Sequence, residues 1–241
     1  MIVAGFGILL ACPNSAHEWF LEEPEILPEI QSLFDKCRLV YARSPLVKKF
    51  FPKVNSLHCP SVLALPRGNW EKDLKLANFM PGGGHYPGLA PQASAIMEAR
   101  MPALAKQLIE SGWHFAAHRP AEEDLALRLG WPKDKIFTWR FDGSGANLLS
   151  IYGRCAKYLG NRIHGGIMAR AAGAEAVVIA YDTRLADVYS MTGYTFTPSQ
   201  FPEDFSLWIK EPPRSLPYDI EHVRAAHLSW WSTKLRLPIR E

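Results

Sequence analysis

The sequence predicts an α/β fold: Rossmann-like parallel sheets with helices on both faces. Three observations predict it. Strand-like and helix-like segments alternate along most of the chain. The run AEAVVIAYD (174–182) is apolar without alternation, as a parallel strand covered on both sides requires. Two helical stretches end in a glycine, Gly112 and Gly130, where a left-handed residue stops a helix.

The elements follow in order. IVAGFGILL (2–10) reads as a short buried strand with glycines. PEILPEIQSLFDKC (24–37) places Ile26, Ile30, Leu33 and Phe34 at helical spacing, with prolines near its start. RLVYAR (38–43) is strand-like, and SPLVKKFF (44–51) is a helix capped by Ser44 with Pro45 in its first position. The apolar run SVLAL (61–65) leads into a Pro-Arg-Gly turn. The polar, turn-rich LPRGNWEKD (65–73) marks a domain boundary.

Beyond that boundary LKLANFM (74–80) is a strand and PGGGHYPG (81–88) a loop. Residues 92–111 form a long helix with Ile96, Leu104 and Leu108 on one face. WHFAAH (113–118) is a strand, AEEDLALRLG (121–130) a helix and KIFTW (135–139) a strand. SGANLLSIYGRCA (144–156) is a helix, KYLGN (157–161) a short strand and GGIMARAAG (165–173) a helix. TRLADVYSMTG (183–193) follows the buried strand as a helix. The tail 194–218, rich in proline and aromatic residues, is expected to wrap a surface. DIEHVRAAHLSWWSTKL (219–235) is a final helix capped by Asp219, with Trp230 and Trp231 as a packing anchor.

Composition narrows the function classes. With 241 residues, 48% of them hydrophobic, the chain can bury a substantial core. A net charge of +3, with Lys and Arg scattered, gives no basis for nucleic-acid binding. Cys12, Cys37, Cys59 and Cys155 form no CxxC pair and no metal-ligand spacing, so a reduced, cytoplasmic chain is expected and no metal. Leu9-Leu10-Ala11-Cys12 imitates a lipoprotein box, but no Lys or Arg precedes it, and a buried strand is the preferred reading. No apolar run reaches the roughly 18–20 residues of a membrane span. Gly82-Gly83-Gly84, after a strand and before a long helix, could cradle a phosphate or simply make a flexible turn, and lacks Walker or dinucleotide spacing; no cofactor is expected.

The chemistry gathers at YLGNRIHGGIMARAAGAEAVVIAYDTR (158–184), where Arg162 and His164 fall between a strand end and a helix start. In an open parallel sheet, ligands bind beyond the carboxyl ends of the strands. A helix beginning at Gly165 would leave the N–H groups of Gly165 and Gly166 to meet an anion. Arg162 adds a planar fork and His164 a donor or proton shuttle. The competing reading is that Arg162 pairs with a nearby acid and His164 caps a packed core. His118 ends a strand on the same rim. Asp182 could orient a histidine, bind a hydroxyl or cap the following helix, and Arg184 could be a further cation or a surface charge. The DGSG stretch (142–145) offers an anion-friendly helix start or a plain cap by Ser144. His114 and His118, four apart, lack a third ligand for a metal.

The segment RIHGGIMARAAGAEAVVIAYDTR resembles the hallmark of polysaccharide pyruvyl transferases, in which Arg-Leu-His opens a small-residue helix and Tyr-Asp-x-Lys ends the next strand. Ile163 stands for Leu and Arg184 for Lys. LVYARSPLVKKFFPKVNSLHCPSVLAL is similar to an upstream strand, helix and Cys-Pro-Ser segment of that family, with Ser44 where an acid is usual. The resemblance runs from about residue 2 to about residue 195. It implies two Rossmann-like domains facing across a cleft, as in GT-B glycosyltransferases. The first (1–70) would be truncated, because about 70 residues fall short of the roughly 100 such a half needs. The donor-binding domain would span 71–193, and a wrap with the final helix 194–241. It also implies phosphoenolpyruvate as donor, a sugar or polysaccharide as acceptor, and pyruvate ketal formation in cell-surface polysaccharide synthesis. Arg162 and His164, with Gly165, Gly166, His118 and Asp182 beside them, would hold the donor, and Arg43 would add a cation from the facing domain. His164 is the candidate acid; no base is assigned. Two rivals remain: a GT-B glycosyltransferase using a nucleotide sugar, and a non-catalytic homologue. A shortened first sheet would need cover or a second copy of the chain.

Overall fold

The computed structural model describes residues 2–6, 27–37, 39–42, 48, 51–57, 59–65, 68–81, 91–139, 145–179, 195–196, 209 and 219–235. Two parallel sheets organise them. The smaller joins β1 (Ile2–Phe6), β2 (Leu39–Ala42) and β3 (Asn55–Ser56) in that order. Helix α1 (Leu27–Asp35) lies between its first two strands in sequence and buries Phe34 against Phe51, with ring centroids 5.0 Å apart. Ala42 and Val54 complete that cluster.

A 3-10 turn at Pro60–Leu63 leads to the larger sheet. It holds β4 (Leu74–Asn78), β5 (His114–Ala117), β6 (Ile136–Thr138), β7 (Cys155–Gly160), β8 (Glu175–Ile179) and the two-residue β9 (Thr195–Phe196). Helices α2 (Pro91–Glu110), α3 (Pro120–Arg128), α4 (Gly145–Gly153) and α5 (Ile163–Ala171) lie between successive strands, and α6 (Ile220–Leu235) follows them. The spatial order is β6-β5-β4-β7-β8-β9, every pair parallel. The chain starts in the middle, builds outward to β6, then returns to the other side of β4. The direction of winding therefore reverses between β4 and β7, and at such a reversal the loops part to leave a crevice.

Alternation along the strands sends side chains to two cores. Leu76, Ala116, Tyr158, Ala176 and Val178 face one, with α4, α5 and the 3-10 turn. Ala77, Phe115, Leu159, Val177 and Ile179 face the other, with α2 and α3. Helices on both faces, as the sequence predicts, are the physical meaning of those two clusters. Gly112, Gly130 and Gly173 take left-handed φ values of 75°, 94° and 85°. After each, the next amide reaches back to a carbonyl in the helix: Trp113 to Leu108, Trp131 to Ala126, Ala174 to Ala169.

Several expectations shift in detail. The buried stripe of α2 is Met97, Met101, Leu104, Ala105 and Leu108, while Ile96 is only half-buried. Cys155 opens β7 instead of ending a helix, and β7 is a six-residue central strand, not a short one. A strand, β9, lies in the stretch expected only to wrap a surface. Asp219 caps α6, its Oδ1 accepting from the His222 amide at 2.9 Å, and Trp230 packs on Tyr41 at 5.1 Å. Residues 44–47 and 183–193, expected to be helical, lie outside the described residues, as do Arg43, Gly82-Gly83-Gly84, Asp142, Asp182 and Arg184. Among the described residues, no helix is long and apolar enough to cross a membrane.

Candidate functional site

The carboxyl ends of β4, β5 and β7 carry a buried polar network. Asn78 closes β4, His118 follows β5, and Asn161 and Arg162 follow β7. Asn161 ties the strand ends together: its amide donates to Asn78 O at 3.1 Å, and its Oδ1 accepts from the Met80 amide at 2.8 Å. Pro120 begins α3 immediately after the β5 turn, which sets Glu122 in the first turn, facing back to the rim. That carboxylate is 1% exposed and accepts from three directions. Arg162 Nη2 lies 2.9 Å from Oε1, while Asn78 Nδ2 at 3.1 Å and the His118 amide at 2.8 Å donate to Oε2. Asn78 Nδ2 also donates to Ala116 O.

The expectation of a guanidinium open at the mouth of a cleft is therefore corrected. Arg162 is 6% exposed and paired with a buried acid. A charge held that far from water is tolerable only beside its opposite, and Glu122 supplies it. Paired in this way, it ties the end of β7 to the first turn of α3.

The helix start is corrected as well. Helix α5 begins at Ile163 with Arg162 as its cap residue, and the Gly166 amide already donates to Arg162 O at 3.1 Å. By helix geometry the amides of residues 163–165 precede that first bond and point out of the N-terminus. The two glycines serve packing. A Cβ on Gly165 would stand 2.5 Å from Tyr158 Oη and 2.7 Å from Tyr152 Oη, and one on Gly166 would overlap Val178 Cγ2. Gly160 is closer still: its Cβ would collide with the backbone oxygen of Asn78.

Both tyrosines are committed. Tyr158 Oη donates to Arg162 O at 2.9 Å, and Tyr152 Oη lies 2.7 Å from His118 Nε2. Burial holds both phenols well above the usual range. His118 is held well below the usual imidazole range, first by desolvation and then by the charges of Arg162, His164 and Arg119. The His118 amide and Arg162 share the Glu122 carboxylate, His164 stands in the first turn of α5 directly after Arg162, and Arg119 follows His118, so the four lie at one rim. His164 is half-buried, in the first turn of α5. With Arg162 balanced by Glu122, the rim offers the exposed Arg119, one neutral imidazole, one partly exposed imidazole and outward amides. That arrangement can receive a small anion and exchange protons with it.

Sequence reasoning misses Glu122, Asn78, Asn161 and the two tyrosines. Glu122 had a signal: an acid two residues after a proline that starts a helix directly behind a strand. The asparagines and tyrosines carry none, because their role exists only where three strand ends meet. His114 is remote from this set, stacked on Phe137 with centroids 5.3 Å apart and 3.4 Å from Lys135 Nζ. Among the described residues no group of His, Cys, Asp and Glu is placed to hold a metal ion. No protein-family profile, curated protein sequence or solved structure matches the chain.

Proposed function

We propose that the chain is a transferase of the polysaccharide pyruvyl transferase type, taking phosphoenolpyruvate at the rim between β4 and β7. The observation that carries the reading is the placement of His118 and Arg162 on one carboxylate, with His164 in the adjoining first turn, at the point where the sheet's winding reverses. The resemblance around residues 162–184 supplies the reaction class.

In this reading the first-turn amides of α5 and His164 contact the donor, and the Arg162–Glu122 pair fixes the rim behind them. A sugar hydroxyl adds to C2 of the enol, C3 gains a proton, and a second hydroxyl then displaces phosphate to close the ketal. His164 protonates C3. His118, kept neutral and with its ring fixed by Tyr152, orients the attacking hydroxyl, whose proton passes to solvent. A GT-B-like arrangement, with the smaller sheet across a cleft from this rim, belongs to the same proposal, as do a cell-surface polysaccharide acceptor and a cytoplasmic site of action.

Thermal shift tests it. Phosphoenolpyruvate at about 100 times its Kd stabilises by about 2.7 kcal/mol. At about 2–4 °C per kcal/mol for a chain of this size, Tm should rise by about 5–11 °C. Inorganic phosphate should give less, and His164→Ala should lose the increment while keeping its unliganded Tm. An equal response to phosphate, or a stronger one to UDP-sugars, would replace this reading with a generic anion sink or a glycosyltransferase.

A further inference from the structure

A cavity opens at the far end of α5, about 13 Å along the helix from the rim. Its volume is about 260 Å³, below the span of pockets that take drug-sized ligands, so it suits a single small ring. Leu65 and Ile220 form apolar walls, Ala172 closes the helix end, and Trp70, Glu221 and Arg224 complete the lining.

The indole of Trp70 is fixed flat. A Cβ built on Gly153 would lie 2.5 Å from Cδ2 and 2.7 Å from Cε2, the two ring-fusion atoms. Gly153 therefore packs against the fused bond of the indole and Gly68 stands beside its Nε1, 3.5 Å from a Cβ built there, while Trp70 also lines the cavity. In the same lining, Arg224 is anchored by Nε to Val62 O at 3.3 Å and Nη2 to Leu65 O at 2.9 Å. Its third contact, Nη1 to Glu221 Oε1 at 3.0 Å, holds a carboxylate whose side chain is 56% exposed. The polar wall is therefore charge-balanced.

We infer that this cavity binds a neutral hexopyranose, with the C–H face of the ring on Trp70 and its hydroxyls donating to Glu221. An aromatic plate together with a few fixed polar groups orients such a ring, and the Arg224–Glu221 pair removes the net field a charged ligand would need. A bare quaternary ammonium would also use the indole face, but Arg224 opposes it. The site is separate from the rim and does not rest on the proposed transfer reaction.

Saturation-transfer NMR on the full chain tests it, with methyl α-glucopyranoside, methyl α-mannopyranoside and methyl β-galactopyranoside as probes and tetramethylammonium as the competitor. At least one glycoside should show saturable transfer to its ring C–H protons, unaffected by tetramethylammonium. Ala172 is half-buried in an αR position that any residue can adopt, so Ala172→Phe should fill the cavity and abolish the signal. Glu221→Ala should weaken binding about tenfold, the loss of a hydrogen bond to a charged group. Three results overturn the inference: no saturable transfer from any glycoside, unchanged transfer in folded Ala172→Phe, or displacement by tetramethylammonium. If Ala172→Phe does not fold, an unchanged affinity in Glu221→Ala overturns it alone.

Discussion

Glu122→Gln isolates the ion pair under the rim. The substitution keeps the side chain's shape and one oxygen for Asn78 Nδ2 or the His118 amide, but removes the charge facing Arg162 at 2.9 Å. Arg162, 6% exposed, then loses the carboxylate 2.9 Å from its Nη2. Breaking such a pair from one side costs about 3–5 kcal/mol, roughly a fifth or more of the stability of an ordinary domain. For a chain of this length the Tm should fall by about 6–20 °C. Urea unfolding should show the loss as a lower midpoint at unchanged slope. The double variant Glu122→Gln with Arg162→Met removes both charges while leaving an acceptor for Asn78 and His118, and most of the loss should return. A loss under about 1 kcal/mol in the single variant, or a double variant no better than the sum of its parts, would refute the argument that the pair is a mutual charge balance.

Gly160→Ala should destabilise more than Gly165→Ala, because its Cβ meets the Asn78 backbone whereas Gly165 faces the ends of two tyrosine side chains; overpacking costs about 1–3 kcal/mol, read by urea midpoints. The depressed His118 makes the unfolded chain bind more protons below its ordinary value near pH 6.5, so this stability is intact above that pH and falls as pH drops through it, by up to about 1.4 kcal/mol per unit. The slope of stability against pH between 6.5 and 5.5 should flatten in His118→Gln; an unchanged slope contradicts the assignment. Cys155, pushed up to about 12 chiefly by burial, should resist a thiol reagent at pH 8 in the native protein, while half-buried Cys37 reacts. Rapid modification of Cys155 without unfolding would show that β7 opens.

The framework of the fold was legible because it rests on local signals. The buried run at 175–179, the strands at 114–117 and 136–138 and the glycine stops are properties of neighbouring residues. Misreadings arise where tertiary contact overrides them. Gly165 and Gly166 look like a loop before a helix, yet they are small because Tyr152, Tyr158 and Val178 occupy the space beside them. Met97 and Met101 carry a helix face that Ile96 seemed to mark. The strand at 195–196 is two residues long, too short for any period to register. In the site, the convergence of Arg162, His164 and His118 could be anticipated from strand ends. The partner of Arg162 could not, since Glu122 is 40 residues away and acidic residues in a first helical turn are common.

The central claim is that a small anion is received where α5 begins. An amide-resolved ¹H–¹⁵N titration with phosphoenolpyruvate reads it most directly. Saturable shifts should appear at residues 163–165 and at His118, with the residues around Trp70 unmoved. Shifts absent from the first turn of α5, or spread across surface lysines without saturation, would contradict it.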